Sequence, residues 1–370
     1  MLLESIKAEN FRNLQGKIEF GPALSVLVGD NGQGKTNWLE AIFLLATTRS
    51  FKTAKLNEAV RFGEDLGIVR GQVRRSEEIY RNLQVSIDKN IKTLVINGKR
   101  ITAKEYLGEL HTVLFNSDGL EIVRGTPDAR RKFLDEAIVA IHPPYVQTLS
   151  DYSRVIRQKN SLLQTARERE TSIEGTTELL EPWNAQLAAL AERIHRSRIR
   201  ITERLNAEID KKLFDREELS LRYVSSLEGK GDLSDYSGLI AERLRLRVHA
   251  ELVAGYALIG THRDDLEISF DGRSLRKYGS SGQQRSALLS LQIANIAVYH
   301  SLQNEYPLFL IDDIDAELDN RRIGQLLEFL EGKTQTFVTT SKNAIASSIG
   351  RSANILNISN GTLSSSKIGL

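Results

Sequence analysis

The residue pattern with the most specific chemistry lies near the amino terminus and fits G-x-x-x-x-G-K-[ST]. It reads Gly29-Asp30-Asn31-Gly32-Gln33-Gly34-Lys35-Thr36. Glycines at these places let backbone N–H groups surround phosphate oxygens, while Lys35 supplies a point charge and the Thr36 hydroxyl is a ligand for Mg²⁺. A β-type run precedes the pattern and a helical run at residues 37–46 follows it. The sequence therefore predicts a phosphate-binding loop for a nucleoside triphosphate.

A second candidate lies far along the chain, where an apolar run ends in two carboxylates, Asp312 and Asp313. Four consecutive apolar residues predict a strand covered on both faces, and Asp312 at its carboxyl end is placed to reach the Mg²⁺ held by Thr36. Asp313 is then placed to orient or deprotonate an attacking water, which makes Asp313 and Lys35 the predicted catalytic residues. Taken alone, the segment also fits an apolar strand that runs into a polar turn, but the phosphate loop favours the metal-binding interpretation.

A third candidate is a run of small and polar residues that precedes a helical pattern at residues 282–299. It includes Ser280, Ser281, Gly282 and Gln283. Free N–H groups at a helix start can hold an anion, although an ordinary Ser/Gly cap has the same composition. From composition alone the cap is the favoured interpretation.

A parallel sheet with helices is needed to bring such residues together. Strand patterns at residues 24–28, 308–311, 335–340 and 354–358 alternate with helical patterns, which is typical of a nucleotide-binding α/β sheet. Short alternating runs at residues 66–102, with an Asn97-Gly98 hairpin turn, predict an antiparallel β subdomain. A further β-type run is expected at residues 255–260.

The stretch between these elements has a different character. Residues 127–254 show long helical patterns rich in Arg, Glu, Leu and Ile, which predicts a mainly helical insertion lobe. The α/β head is then discontinuous, formed by residues 1–126 and 255–370. Four arginines cluster beside one apolar helix stripe and are candidate DNA contacts: Arg193, Arg196, Arg198 and Arg200. For any single arginine, a solvated helix face balanced by neighbouring glutamates is the favoured alternative.

Composition limits the remaining classes. The 50 basic and 48 acidic residues give a net charge of +2, so a nucleic-acid surface must be a local patch. Cysteine is absent, which excludes disulfides, thiolate metal sites and thiol catalysis. The sequence contains no long apolar segment and no signal-peptide pattern. We therefore expect a cytoplasmic protein that does not associate with a membrane.

Several motifs together resemble one family. Ser280, Gly282 and Gln283 match the S-G-G-Q signature of ABC-type ATPases, with Ser281 in place of one glycine. The order of motifs over essentially the whole chain resembles the RecF family, bacterial recombination-repair ATPases related to SMC proteins. The other segments that carry the resemblance are Phe11-Arg12-Asn13, Gly32-Gln33-Gly34-Lys35-Thr36-Asn37, Pro127 with Arg130-Arg131-Lys132-Phe133-Leu134-Asp135, His262-Arg263-Asp264-Asp265, and Asp312-Asp313 to Asp319.

The resemblance implies an SMC-like, ABC-type P-loop ATPase head. It implies nucleotide contacts from Arg12, Asn13 and Asn37, a D-loop containing Asp319, and Thr340 at the place of the switch histidine. A threonine cannot act as an imidazole would, so slow hydrolysis is expected. In that superfamily the signature of one subunit closes over the γ-phosphate bound by another, which implies an ATP-dependent homodimer with two composite sites.

The function implied by the resemblance is ATP-dependent binding of duplex DNA near single-strand gaps, with RecR and RecO, to help load RecA. A slow, DNA-stimulated ATPase in the bacterial cytoplasm goes with it. A different class stays open: an ABC-type ATPase that acts on a protein partner or membrane complex without DNA binding, its basic helices being solvated faces. A DNA shift that depends on salt and requires ATP would separate the two classes.

Overall fold

The computed structural model describes residues 1–75, 78–89, 91–209, 218–342 and 353–364. The chain forms two compact units. The first contains Met1–Leu120 and Leu288–Leu370, and the second contains Glu121–Ala287. The predicted insertion, 127–254, lies inside the second unit, which also includes the strands and the helix start that follow it.

The strands are β1 (Leu2–Phe11), β2 (Leu14–Glu19), β3 (Leu24–Val28), β4 (Leu66–Arg74), β5 (Tyr80–Asp88), β6 (Ile91–Ile96), β7 (Lys99–Ile101), β8 (Thr112–Phe115), β9 (Leu219–Val224), β10 (Asp265–Phe270), β11 (Arg273–Ser274), β12 (Leu308–Ile311), β13 (Thr336–Thr340), β14 (Asn354–Ser359) and β15 (Thr362–Leu363). The helices are α1 (Lys35–Thr47), α2 (Ala103–Tyr106), α3 (Leu120–Arg124), α4 (Pro127–Ile141), α5 (Tyr145–Glu168), α6 (Ile173–Ile209), α7 (Tyr236–Ala254), α8 (Leu275–Tyr278), α9 (Ser281–Gln303), α10 (Ile314–Glu317) and α11 (Asn320–Leu330).

A six-stranded sheet in the first unit has the order β15-β14-β3-β13-β12-β8. Its strands are parallel except β15, which pairs antiparallel with β14. Strand β13 lies between β3 and β12, with Thr340 opposite Val28 and Val338 opposite Ile311. Because the strands run the same way, the chain leaves β3 and β12 at one edge of the sheet. This edge therefore holds both the phosphate loop and the two aspartates.

The second sheet of this unit is antiparallel, with the order β2-β1-β4-β5-β6-β7. Helix α1 packs against strands of both sheets, including β4 and β13. Its side chains are buried around most of the helix, Trp38 and Leu39 completely so. A helix that is apolar on nearly all sides must be enclosed, which explains why its sequence shows no polar face.

One buried amide joins the two sheets. The Gln335 side chain accepts a hydrogen bond from the Leu3 N–H at 2.8 Å and donates to the carbonyls of Leu3 at 2.9 Å and Gly21 at 2.7 Å. Gln335 is only 3% exposed, so these backbone groups have no ready access to water. The amide therefore satisfies buried polar groups on two segments at once.

The second unit contains the helices α4 to α7 and a small antiparallel sheet of order β11-β10-β9. Strand β9 lies within the stretch that the sequence predicted to be helical, and Leu219 pairs with Phe270 of β10. The β-type run expected at residues 255–260 is wrong. Gly255 ends α7 with a φ of 75°, and a short 3₁₀ turn, Thr261–Arg263, precedes β10.

Buried polar side chains hold this unit together around the turn at residues 261–264. Asp264 is fully buried and accepts hydrogen bonds from the Tyr223 hydroxyl at 2.5 Å and the Ser226 N–H at 2.7 Å. His262 Nδ1 lies 2.8 Å from the Tyr152 hydroxyl, and burial lowers the pKa of His262 to about 4. His262 is therefore neutral at pH 7, and its ring is part of this buried polar cluster.

Replacing Gln335 by leucine should destabilise the first unit by about 2 kcal/mol or more, because the substitution leaves buried N–H and C=O groups of Leu3 without partners. Thermal and urea unfolding of the full chain would measure the loss. Gln15→Leu, on the exposed face of the edge strand β2, is the matched control and should change stability far less. Equal effects of the two substitutions would contradict the structural role of the Gln335 amide.

Candidate nucleotide-binding site

The phosphate loop connects β3 to α1, as the sequence pattern predicts. The Lys35 ammonium donates to the carbonyls of Gly29 at 2.8 Å and Asp30 at 2.9 Å, and the residue is 4% exposed. Gly34 has a φ of 103°, and a Cβ there would lie 3.0 Å from Asn13 Oδ1. Both the backbone angle and the close approach require glycine. The loop thus has the fixed shape and the free helix start of a phosphate cradle.

The loop is held from outside by the β14–β15 hairpin. The Asn360 N–H donates to Gln33 Oε1 at 2.7 Å, and the Gly361 N–H donates to the Gln33 carbonyl at 2.8 Å. A Cβ on Gly361 would lie 2.0 Å from the Asn13 carbonyl oxygen. The oxygen of the Gln33 side chain, which was predicted to contact the nucleotide, therefore accepts a hydrogen bond from the hairpin. Through this contact the hairpin braces the loop.

Thr36 and Asp312 meet as predicted for a metal site. The Thr36 hydroxyl donates to Asp312 Oδ1 at 2.9 Å. Burial raises the pKa of Asp312 above its ordinary value, while the hydroxyls of Thr339 and Thr36 act in the opposite direction. A hydroxyl and a carboxylate are the hard oxygen ligands that Mg²⁺ prefers, and a cation would offset the cost of a buried charge. The residues therefore fit the metal that the sequence predicted.

Thr339 is a residue of the candidate site that the sequence reasoning missed. Its hydroxyl donates to Asp312 Oδ1 at 2.7 Å and accepts from the Asp313 N–H at 2.8 Å. Asp313 is exposed and has a φ of 47°, a left-handed conformation that non-glycine residues adopt rarely. Thr339 thus fixes one aspartate side chain and the backbone of the next. These contacts follow from the parallel register of β12 and β13, which no pattern in the sequence marks.

Thr340, predicted at the place of the switch histidine, faces away from Asp312. Its hydroxyl donates to Asp315 Oδ1 at 2.8 Å. Successive side chains of a strand point to opposite faces, so Thr339 and Thr340 serve different neighbours. Asp319 caps α11, because its side chain accepts from the Arg322 N–H at 2.9 Å. Among the described residues, neither side chain has a hydrogen bond to Asp312 or Asp313.

Arg12 is engaged with a buried carboxylate. Its guanidinium forms a bidentate pair with Glu40 of α1, at 3.0 and 2.8 Å, and Glu40 is fully buried. Arg12 therefore fixes the turn between β1 and β2 against α1. Asn13 accepts from Asn37 Nδ2 at 2.7 Å, which ties the same turn to the first turn of α1.

Lys52 is a second residue that the sequence reasoning missed. Its ammonium donates to Asn37 Oδ1 at 2.7 Å. Partial desolvation lowers the pKa of Lys52, whereas the charges of Glu40, Asp312 and Asp313 act to raise it. This arrangement places a cation beside the loop and within electrostatic reach of both aspartates. No motif marks the position, and only the fold brings it there.

An open cleft of about 530 Å³ adjoins the phosphate loop. It lies between the β1–β2 turn, the start of α1 and the segment before β4. Its lining includes Arg12, Asn13, Asn37, Arg61 and Phe62. The volume lies within the range that small-ligand sites occupy in proteins. Of the lining residues, Asn37 directly follows the phosphate loop and Asn13 lies against Gly34, so the cleft adjoins the loop through these two side chains.

The signature segment, residues 279–285, lies in the second unit at the start of α9. Ser280 Oγ accepts from the Gln283 N–H at 3.2 Å, and Gln283 Oε1 accepts from the Ser280 N–H at 2.9 Å. This reciprocal pair is a capping box, so the cap interpretation is confirmed for the side chains. Ser280, Ser281 and Gly282 are exposed. The capped helix start is therefore open to another molecule.

The four predicted DNA-contact arginines of α6 do not share one environment. Arg193, Arg196 and Arg200 are exposed, and Arg196 pairs with Glu192 one turn away. Arg198 is 4% exposed, forms a bidentate pair with Asp135 at 2.9 and 2.8 Å, and donates to the Thr261 carbonyl. The assignment of Arg198 to a DNA surface is therefore wrong, because its side chain points into the core of the second unit.

Comparisons with known proteins agree with this geometry. The sequence model of the RecF/RecN/SMC N-terminal domain family matches residues 2–364. The chain is 36% identical over 353 residues to the DNA replication and repair protein RecF of Halothermothrix orenii, covering 92% of each chain. It is 35% identical over 370 residues to RecF of Streptococcus agalactiae, covering 98% of each.

Solved structures extend the comparison to three dimensions. A structure described as the recombination mediator protein RecF-ATP in the RecFOR pathway superimposes with a TM-score of 0.88 at 31% identity, covering 98% of this chain and 96% of that one. The Smc head domain of Pyrococcus yayanosii matches with a TM-score of 0.50 at 14% identity, which shows a shared fold alone. Within the described residues, no helix is long and apolar enough to cross a membrane. These likenesses extend over nearly the whole chain and agree with its phosphate loop, carboxylate pair and signature segment. The chain therefore belongs to the RecF family of SMC-like, ABC-type ATPases.

Proposed function

We propose that the chain is an ATP-driven switch that pairs with a second copy on duplex DNA near single-strand gaps, in the bacterial cytoplasm. The observation that carries the proposal is the convergence of Lys35, Thr36, Asp312 and Asp313 at one edge of the parallel sheet. The relatives' names, which refer to DNA replication and repair, support the DNA part. RecO and RecR are the expected partners and RecA loading the expected outcome, as the RecFOR pathway of the structural relative suggests.

The residues have separate roles in this proposal. Lys35 and the loop N–H groups hold the phosphates, and Thr36 with Asp312 would hold Mg²⁺, which when bound neutralises charge on the phosphates. Lys52 adds a cation beside them. Asp313 is exposed and backbone-fixed, so its carboxylate can orient a water and accept its proton. Turnover is slow because the hydroxyl of Thr340 is committed to Asp315 and cannot act as an imidazole.

The exposed signature helix start supplies the reason for pairing. The N–H groups of Ser281 and Gly282, in the exposed first turn of α9, can donate to the triphosphate held by a second copy, so ATP joins two subunits. Pairing would place two sets of exposed α6 arginines on one duplex, and the salt dependence of DNA binding should steepen about twofold relative to the monomer. Arg193, Arg196 and Arg200 remain in this DNA proposal. The open alternative, an ATPase that moves a protein partner without DNA, shares every step except this one.

Lys35→Ala should weaken ATP affinity by about ten- to a hundredfold, because charge-assisted hydrogen bonds to the phosphates are lost. Isothermal titration calorimetry measures the change. Lys55→Ala removes a charge from an exposed position outside the loop and is the control. ATP affinity equal to that of the unsubstituted chain would refute the phosphate-loop assignment.

Asp313→Asn should bind ATP with nearly unchanged affinity but hydrolyse it about a hundredfold or more slowly, because an amide cannot accept the proton of the water. Single-turnover hydrolysis separates binding from chemistry. Asp65→Asn, an exposed aspartate in the same unit, should turn over normally. A wild-type rate for Asp313→Asn would remove Asp313 from the catalytic role.

The function itself is tested by sedimentation of Asp313→Asn with labelled gapped duplex, with and without ATP and Mg²⁺. We expect ATP to double the mass and DNA to join the dimer, more weakly as salt rises. Ser280→Arg should still bind ATP as a monomer while failing to pair, because its side chain fills the space before the helix start. Doubling of the Ser280→Arg mass would contradict the composite site. If ATP pairs the subunits but the DNA stays unbound even at low salt, the result would favour the protein-partner alternative.

A further inference from the structure

Phe62 and Tyr278 are the two most exposed large hydrophobic residues in the part of the chain that the structure describes. Phe62 is 104% exposed and Tyr278 is 73% exposed. Removing an aromatic ring from water is favourable, so rings held this far out are suited to contact with a ligand or partner. Each of them adjoins a different half of the proposed nucleotide machinery.

Phe62 lines the cleft beside the phosphate loop. Its neighbour Arg61 is fixed, because the guanidinium donates to the Leu14 carbonyl at 2.9 Å and the Arg61 N–H donates to the Asn10 carbonyl at 2.9 Å. These bonds attach the segment to the β1–β2 turn, which Asn13 joins to α1. The ring of Phe62 is thus presented at the cleft by a constrained backbone. Asn37, which also lines the cleft, directly follows the loop, so the cleft offers a place for the nucleoside of a triphosphate held there.

Tyr278 precedes the signature segment by one residue. It ends α8, whose first residue, Leu275, is buried and accepts the Gly279 N–H at 2.9 Å. The Gln284 side chain donates to the Gly279 carbonyl at 3.2 Å. The ring therefore stands on a fixed turn, two residues from Ser280 and within about 8 Å of it along the backbone.

The charge around Tyr278 suits a nucleotide. Arg273, Arg276 and Lys277 are all exposed, and the six residues 273–278 contain no acidic side chain. A triphosphate is strongly anionic, so a basic segment with one exposed aromatic ring matches both ends of a nucleotide. An apolar protein surface would explain the ring but not the three cations. The observations therefore favour the nucleotide of a second copy as the occupant.

We propose that the base of the bound nucleotide is clamped between Phe62 of the subunit whose phosphate loop holds it and Tyr278 of a second copy of the chain. The proposal rests on the ATP-driven pairing described above and adds the nucleoside to it. Stacking depends on the face of the base and not on its hydrogen-bonding edge. The clamp therefore requires a base but discriminates little between one base and another. ATP then contributes to pairing through its base as well as its phosphates.

The test uses the Asp313→Asn chain, so that the ligands persist, and measures the monomer–dimer constant by sedimentation. Tyr278→Ala should leave nucleotide affinity of the monomer unchanged and weaken ATP-driven pairing about a hundredfold, since each of two clamps loses about tenfold. Phe62→Ala should weaken both monomer affinity and pairing. Tyr256→Ala and Tyr80→Ala, at exposed tyrosines in the two units, are the matched controls and should change neither.

Ribose 5′-triphosphate, which lacks the base, completes the test. With this ligand the parent chain and Tyr278→Ala should pair equally weakly. Parent pairing as strong with the abasic ligand as with ATP overturns the clamp. So does an equal loss for Tyr278→Ala with both ligands, which would assign Tyr278 to a protein contact. Failure of the parent chain to pair with ATP would instead overturn the proposed ATP-driven association, and the clamp with it.

Discussion

The rest of the site depends on the hydrogen bonding of β13 between β3 and β12. This pairing fixes the ends of three strands at one edge, so the loop after Val28, the aspartates after Ile311 and the hydroxyl of Thr339 become neighbours. More than 270 residues of sequence separate Thr36 from Asp312, yet their side chains are 2.9 Å apart. The register of the three strands therefore determines which side chains meet in the candidate site.

Much of this arrangement could be predicted from the sequence, because the constraints on it are local. The phosphate loop needs glycines and a lysine at fixed spacing, and the strand before Asp312 must be apolar on both faces, so both leave patterns. Strand β9 was missed since its six residues lie between long helical patterns. Thr339 and Lys52 were missed for a different reason: their partners are set by register and by a loop path, which no spacing within the sequence records.

Arg198 shows the limit of reasoning from clusters of like residues. Four arginines at short intervals on one helix suggest one surface, but a helix turns by 100° per residue, so neighbours in sequence face different directions. Arg198 points inward, where Asp135 and the Thr261 carbonyl match its donors. The Arg198 side chain lies in the same buried polar cluster as Asp264 and Tyr223, and this cluster supports the turn that leads into β10.

The hairpin that braces the phosphate loop has a consequence for the order in which the protein becomes competent during synthesis. Asn360, which holds Gln33, follows it by 327 positions. Strands β12 and β13 also follow β3 by hundreds of residues. A nascent chain emerging from the ribosome therefore carries the loop long before the hairpin and the two neighbouring strands that brace it have been made. Nucleotide capture is then a late event of translation, and an incomplete chain cannot compete with finished molecules for ATP or for a partner subunit.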